Sequence, residues 1–248
     1  MGESHGAFVI GNDAHTLPFV SSINVACGFH GGDPSVMRST VQAAVAHGVA
    51  IGAHPGLPDL IGFGRREMAV TAQEVYDMTV YQLGALEAVA TAAGTTLQHV
   101  KPHGALYNMA AVNTRLADAI ARAVRDVNPA LQLLGLSGSA LITAGRAVGL
   151  RTASEVFADR RYQADGTLVP RSQPNALIHD VAIAVAQAIL MVREHHVIAA
   201  DGSIVPVVAD SICIHGDAPG AALFAQQIRS ALDAAGVSVL ALATSSHA

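Results

Sequence analysis

The chain has 248 residues, 51% of them hydrophobic and 13% charged, and a net charge of −5, which excludes disorder and allows one large α/β barrel or two small domains. With no Trp, no basic stripe and no apolar run of roughly 18 residues, the sequence predicts neither a nucleic-acid partner nor a membrane span. Two widely separated cysteines, Cys27 and Cys213, make no disulfide framework, and no signal peptide is recognised, so a cytosolic location is expected.

The first segment, residues 1–17, is a polar, glycine-rich loop with no strand before it. Loops of this kind normally follow a strand or helix, so a piece at the front is expected to be missing.

Strands and helices are predicted to alternate along the rest of the chain. Short apolar runs predict strands at 21–26, 49–53, 97–102, 131–136, 151–157 and 211–215. Helical patterns, with cap signals at Asp33 and Thr71, are predicted at 34–47, 71–93, 114–126, 139–149, 178–194 and 219–236. The turn Asp201-Gly202 predicts a small hairpin near 197–208, and 237–243 is either a last strand or the end of the domain.

This alternation favours one domain over residues 1–248, an α/β fold with a parallel sheet and right-handed crossovers. Apolar strands favour a distorted (β/α) TIM-like barrel of about seven strands, and an open doubly wound sheet is the alternative. Active sites of α/β barrels form where strands end. Polar residues follow five predicted strands: Asn24 and His30, His54 and Asp59, Lys101 and His103, Glu155 and Asp159, His215 and Asp217.

Lys101 is the only lysine beside 13 arginines, since Lys and Arg together number 14. The pKa of an ammonium shifts readily on burial, whereas a guanidinium stays charged. In a strand over 97–103, His99, Lys101 and His103 share one face. The pattern predicts a cation and an imidazole directed into a pocket; the alternative is an accidental lysine in an arginine-biased sequence.

The remaining candidates carry no strong motif, because the sequence has no P-loop, no H-E-x-x-H and no C-x-x-C, and no G-x-S-x-G follows a predicted strand. No metal site is firmly predicted, although imidazole ligands would suit Zn or Mn; if a metal is present, its ligands are His30, His54 and His103. Lys101 argues against a metal close to it, because cations repel. Otherwise these histidines form hydrogen bonds or act as bases. Cys27 is either a nucleophile or a small buried apolar residue. Surface positions are expected for His5, His15, His47, His195, His196 and His247.

Segments spread over nearly the whole chain resemble the LamB/YcsF family. The matching segments are 20–34, 51–56, 62–66, 100–107, 155–162, 168–171 and 214–217. The resemblance implies a barrel related to polysaccharide-deacetylase-like folds. It also implies ATP-dependent opening of 5-oxoproline to glutamate, together with the B and C subunits of 5-oxoprolinase. Family members carry a first strand before the Gly-Glu-Ser that here follows Met1, and the aspartates of that strand would lie at the barrel mouth.

Within that expectation, Lys101 offsets charge on a phosphate or an oxyanion. His103 or His54, with Asp59, activates water. The other expected substrate-binding residues, among which Arg65 or Arg66 holds the carboxylate, are Asn24, His30, Arg65, Arg66, Glu155, Arg171, His215 and Asp217. ATP with Mg is shared with the partner subunits, and a homo-oligomer is compatible with the sequence. The change Lys101→Met is expected to abolish turnover and to leave the fold intact.

Two other functions fit the same residues. One is a metal-dependent amide hydrolase or deacetylase on the same barrel, which needs no ATP. The other is a regulatory subunit that only completes a complex.

Overall fold

The computed structural model describes residues 1–217 and 220–242. Its strands are β1 Ser22–Ala26, β2 Ala50–His54, β3 His99–Val100, β4 Gln132–Leu136, β5 Arg151–Phe157, β6 His196–Ile198, β7 Ile204–Pro206 and β8 Ser211–Cys213. Its helices are α1 Asp13–Thr16, α2 Pro34–His47, α3 Ala72–Ala92, α4 Gly104–Val112, α5 Thr114–Val127, α6 Ala140–Ala147, α7 Val181–Arg193 and α8 Ala221–Ala234, with a 3₁₀ turn at Leu17–Phe19.

Six strands form one all-parallel sheet in the order β1-β2-β3-β4-β5-β8. The order rises steadily from one edge to the other, so the described sheet has no reversal of strand order, which a doubly wound sheet requires. Strands β6 and β7 form the predicted hairpin as a separate antiparallel pair. The expected α/β class and hairpin are therefore confirmed, with six parallel strands rather than about seven.

The sheet is curled into a half-barrel. His99 of β3 donates from Nε2 to Asn24 Oδ1 of β1 at 2.9 Å, passing over Gly52 of β2, where a Cβ would collide with the imidazole. Lys101, just after β3, reaches Cys213 at the far edge strand. A cavity of about 210 Å³ separates the edges of β1 and β8, and no strand among the described residues pairs these edges.

The first residues lie against β1. The Met1 amine donates to Asn24 O at 2.8 Å, and the Ala26 amide donates to Met1 O at 3.1 Å. This places Glu3 beside the carboxyl ends of the strands.

Local signals explain the main helices. The Asp33 carboxylate accepts from the Ser35 and Val36 amides at the start of α2, and Thr71 with Glu74 forms the predicted capping box of α3. Helix α5 packs against α3, α6 and α4. Its buried residues are Leu116, Ala117, Ala119, Ile120, Ala121, Ala123 and Val124.

Two expected elements differ from the structure. The strand over 97–102 shortens to His99–Val100, and the unpredicted helix α4 follows at once, because Gly104 adopts φ +56° and turns the chain into it. Residues 237–242 form no strand. Pro219 and residue 243 lie outside the described residues, and the described part of the last helix begins at Ala221. None of the described helices is long and apolar enough to cross a membrane.

Candidate functional site

A pocket of about 390 Å³ opens at the carboxyl ends of the parallel strands. Eight of the residues expected from the sequence line it: Asn24, His54, Arg65, Lys101, His103, Arg171, His215 and Asp217. His30 and Glu155 lie directly behind this lining, stacked on His103 and paired with Lys101 respectively. The expectation that separate strand ends meet in one pocket therefore holds for these ten residues.

The Lys101 ammonium lies in a cluster of side chains that satisfy one another. Its Nζ is 2.7 Å from Glu155 Oε1 and donates to Cys213 Sγ at 2.9 Å, and the residue is only 4% exposed. The Tyr107 hydroxyl donates to the other Glu155 oxygen at 3.0 Å. Burial alone would lower the pKa of Lys101, but Cys213 and Glu155 raise it above its ordinary value, so the side chain is an ammonium. We call these four residues the lysine group.

The second cluster in the pocket consists of hydrogen-bond acceptors. His54 Nδ1 lies 2.6 Å from the carbonyl oxygen of Lys101, and His103 Nε2 lies 2.7 Å from that of Phe63. Because a carbonyl only accepts, each of these nitrogens carries the hydrogen. The other nitrogens, His54 Nε2 and His103 Nδ1, are then both acceptors, and they lie only 3.0 Å apart.

His30 and Glu3 complete this cluster. The His30 ring stacks on that of His103, with centroids 3.7 Å apart, and neither of its nitrogens has a hydrogen-bond partner among the described residues. Glu3 Oε1 lies 3.7 Å from His30 Nε2 and 3.8 Å from His103 Nδ1, which is too long for hydrogen bonds. One ligand atom from each of Glu3, His30, His54 and His103 falls within 4.8 Å of the others, so these residues could hold a metal ion. We call them the histidine group.

Burial keeps the histidine group neutral apart from Glu3. It lowers the pKa of His30 and, more strongly, the pKa values of His54 and His103, and the neighbouring imidazoles add to the effect in the last two. Imidazolium is therefore disfavoured at all three positions.

Glycines let the loops pack against these rings. A Cβ at Gly56 would lie 2.6 Å from His30 Nδ1, and one at Gly64 would lie 2.7 Å from His30 Cβ and 2.9 Å from His103 Cδ2. Gly64 also adopts φ +62°, which side-chain-bearing residues rarely tolerate. The imidazoles are thus confined by backbone on their outer side.

Three arginines surround the other end of the pocket. Arg65 pairs with Asp217 at 2.8 Å, and the buried Arg160 donates to Val169 O at 2.7 Å. Within 1–217 and 220–242, Arg171 has no hydrogen bond or ion pair. Burial and the charges of Arg65 and Arg160 lower the pKa of Arg171 to about 10. An anion is therefore favoured beside Arg171.

His215 is oriented by a carboxylate. Its Nδ1 lies 2.7 Å from Asp159 Oδ2, and its ring lies beside Phe157 with centroids 5.9 Å apart. Burial would raise the pKa of Asp159, but His215 lowers it below its ordinary value. The pair presents the His215 ring to the pocket.

Asp59 and Arg66 do not join the pocket lining. They pair with each other, and the Arg66 side chain is 64% exposed; the Gly62 amide also donates to Asp59 at 2.9 Å. Asp59 is thus paired with Arg66 rather than with His54 or His103, and Glu3 is the carboxylate beside these histidines.

Several residues of the site were missed from the sequence, namely Glu3, Tyr107, Arg160 and Cys213. Glu3 stood in a loop with no preceding element, so nothing connected it to the strand ends. Cys27 is confirmed as a small buried residue, and burial raises its pKa to about 12. His15, His47 and His195 are exposed, His5 and His196 are half-buried, and His247 lies outside the described residues.

The fold and pocket define an α/β protein with a curled parallel sheet, with its candidate functional side chains at and just beyond the strand ends. The chain belongs to the LamB/YcsF family, which it matches over residues 1–247. It is 62% identical over 242 residues to a protein from Tolumonas auensis that is named as the A subunit of 5-oxoprolinase, covering 98% of this chain and 96% of that one. The Bacillus subtilis protein of the same name is 58% identical, with 98% and 94% covered. The crystal structure of a lactam utilization protein from Thermus thermophilus superposes with a TM-score of 0.91 at 50% identity, covering 98% and 97%.

Proposed function

We propose that this chain opens the lactam ring of 5-oxoproline to glutamate at the expense of ATP, as the A subunit of a 5-oxoprolinase that also contains B and C subunits. The observation that carries the proposal is one pocket that combines a buried ammonium, an arginine with no ion pair or hydrogen bond to the described residues, and a set of acceptors close to one another. The names of the relatives, which share more than half of their residues with the chain, agree with it.

Activation of the amide is the first chemical requirement, because amide resonance makes the lactam carbon resistant to water. Transfer of the γ-phosphoryl group of ATP to the lactam oxygen releases ADP and leaves an imidate-like phosphate. Lys101, fixed between Glu155 and Cys213, offsets the negative charge on this oxygen and its phosphoryl group. The sequence has no P-loop, so the nucleotide and its Mg are held together with the partner subunits.

Hydrolysis follows. Water adds to the activated carbon, and the ring C–N bond then breaks as a proton goes to the nitrogen, which leaves an acyl phosphate. A second water hydrolyses this acyl phosphate to the carboxylate and releases phosphate. The histidine group supplies the acceptors that activate the attacking water. Glu3 takes the role expected of Asp59 from the sequence, which is to assist the histidines. Arg171, supported by Arg65 and Arg160, holds the substrate carboxylate.

The test is glutamate release from 5-oxoproline and ATP, measured with the chain alone and with the B and C subunits. We expect release only from the complete complex. The doubly changed chain Lys101→Met, Glu155→Gln, which removes both charges of the buried pair, should fold and assemble but release no glutamate. Full activity of this variant would contradict the proposal and would favour a regulatory role.

A metal-dependent amide hydrolase remains the second candidate, because the histidine group offers four converging ligand atoms. Ring opening by the chain without ATP, abolished by a chelator and restored by metal, would replace the first proposal with this one.

A further inference from the structure

We infer that Glu3, His30, His54 and His103 form a binding site for one divalent transition-metal ion of the zinc class. The site lies in the same pocket as the proposed reaction. It is inferred from the geometry of the four side chains alone, so it can fail while the proposed reaction holds.

Hydrogen bonds to backbone carbonyls fix the tautomers of His54 and His103. The carbonyl oxygens of Lys101 and Phe63 hold the hydrogens of His54 Nδ1 and His103 Nε2 on the outside of the group. Metal-ligating histidines in proteins are oriented by this kind of hydrogen bond from the nitrogen opposite the metal. His54 Nε2 and His103 Nδ1 are then both left with lone pairs directed at the interior.

The two nitrogens that carry these lone pairs lie close together. Two acceptors 3.0 Å apart repel each other unless a positive species lies between or beside them. Nitrogens at this separation can both lie about 2.0–2.1 Å from one zinc ion. Glu3 Oε1, at 3.8 Å from His103 Nδ1, supplies an anionic ligand on the same side.

His30 provides independent evidence. It is completely buried, and neither of its ring nitrogens has a hydrogen-bond partner among the described residues. An unsatisfied buried imidazole is costly, so its occurrence beside three other acceptors points to a ligand. A proton shared by His54 and His103 would leave His30 without a partner. Because the parallel rings of His30 and His103 cannot both direct in-plane lone pairs at one ion, His30 joins the site by turning its ring out of this stack.

The surrounding charges permit a dication. The two nearest side-chain cations have their own carboxylates, Lys101 with Glu155 at 2.7 Å and Arg65 with Asp217 at 2.8 Å. Glu3 adds a carboxylate to the site itself, with Oε1 3.7 Å from His30 Nε2 and 3.8 Å from His103 Nδ1. The repulsion expected from Lys101 is therefore offset within the lysine group.

The experiment uses the full chain without partner subunits or ATP. After chelator treatment and dialysis, the protein is titrated with Co²⁺, whose visible absorption reports bound nitrogen and oxygen ligands, and with Zn²⁺ in competition. We expect one equivalent of Co²⁺ to bind and to be displaced by one equivalent of Zn²⁺. X-ray absorption of the zinc-loaded wild type should show imidazole scattering from three histidines, which requires no variant.

Variants then locate the site. His54→Ala should lose stoichiometric binding, and Glu3→Gln, which keeps the shape of the side chain, should weaken it at least tenfold. The control His47→Ala changes an exposed histidine on α2 and should bind as the wild type does. Circular dichroism of each metal-free variant establishes that it is folded. Absence of stoichiometric binding by the wild type, or equal binding by folded His54→Ala, would overturn the inference.

Discussion

The lysine group and the histidine group share the pocket, but they differ in whether their polar atoms have partners. In the lysine group every polar atom at the centre has a partner: the ammonium faces a carboxylate at 2.7 Å, and the phenol of Tyr107 donates to the same carboxylate. In the histidine group the inward atoms of His54 and His103 are acceptors that face each other at 3.0 Å. The pocket therefore joins a satisfied cluster to an unsatisfied one.

The difference separates two ways in which buried polar residues can act. A satisfied cluster is rigid, and it acts on a ligand through the field of its fixed charges. An unsatisfied cluster needs a cation or a proton to become stable. Substitutions should therefore affect stability most in the lysine group, and ligand binding most in the histidine group.

The largest expected effect is on the folding of Lys101→Met. This change leaves Glu155 buried and unpaired, so the free energy of unfolding should fall by about 3–5 kcal/mol in urea denaturation. The expectation from the sequence that Lys101→Met leaves the fold intact did not take the ion pair with Glu155 into account. Adding Glu155→Gln, which can still accept from Tyr107, should restore much of the loss.

A matched control is Arg229→Met on α8, which removes the exposed ion pair with Asp233. Exposed pairs at this helical spacing contribute only about 0.3–0.5 kcal/mol. Equal losses in Lys101→Met and Arg229→Met would show that the lysine group is not a closed, buried cluster.

The next effect concerns the packing behind the histidine group. In Gly56→Ala the new methyl group would lie 2.6 Å from His30 Nδ1, so the ring must shift. We expect a loss of about 1–3 kcal/mol in the free energy of unfolding, with weaker Co²⁺ binding. The control Gly84→Ala, on α3 with nothing within 4 Å of the added carbon, should gain about 0.5–1 kcal/mol.

A smaller effect tests the third charged region of the pocket. Arg171→Gln removes the guanidinium proposed to hold the substrate carboxylate. Charged hydrogen bonds contribute about 1.5–3 kcal/mol, so KM for 5-oxoproline should rise by roughly tenfold or more in the complete complex, with folding unchanged. The control Arg66→Gln, which changes an exposed guanidinium outside the pocket lining, should leave KM as it is. The reverse result would assign the substrate carboxylate to Arg66.

The smallest effect concerns the thiol of the lysine group. Burial raises the pKa of Cys213 to about 12, and Lys101 lowers it only in part. Because the thiolate is the nucleophile, iodoacetamide labelling followed by mass spectrometry should be slow at pH 8, and its rate should rise steadily with pH without levelling off near pH 9. Rapid labelling of Cys213 at pH 8 would show instead that Cys213 is a thiolate, paired with the Lys101 ammonium alongside the Glu155 carboxylate.

The sequence predicted the fold well where local signals act alone. The Asp33 cap and the Thr71–Glu74 capping box need no tertiary contacts, and both occur as expected. The alternation of strands and helices also predicted that separate strand ends would contribute to one pocket. Helix α4 was missed because Pro102 and Gly104 resembled the end of a strand and a turn, whereas Gly104 starts the helix directly.

The pairing of side chains within the pocket could not be predicted. The predicted strands placed Lys101 and Glu155 near strand ends, but only the curl of the sheet brings their charges to 2.7 Å. Asp59 stood five residues after His54, yet the loop turns it towards Arg66, and Glu3 arrives from a distant segment. Partners that depend on sheet curvature and loop direction leave no pattern along the chain.

Lys101 links the two groups, because its carbonyl oxygen accepts from His54 Nδ1 while its ammonium meets Glu155. The same short backbone segment therefore positions both the ammonium and the His54 ring. A change that alters the path of the chain through residues 100–103 should disturb both ends of the pocket together.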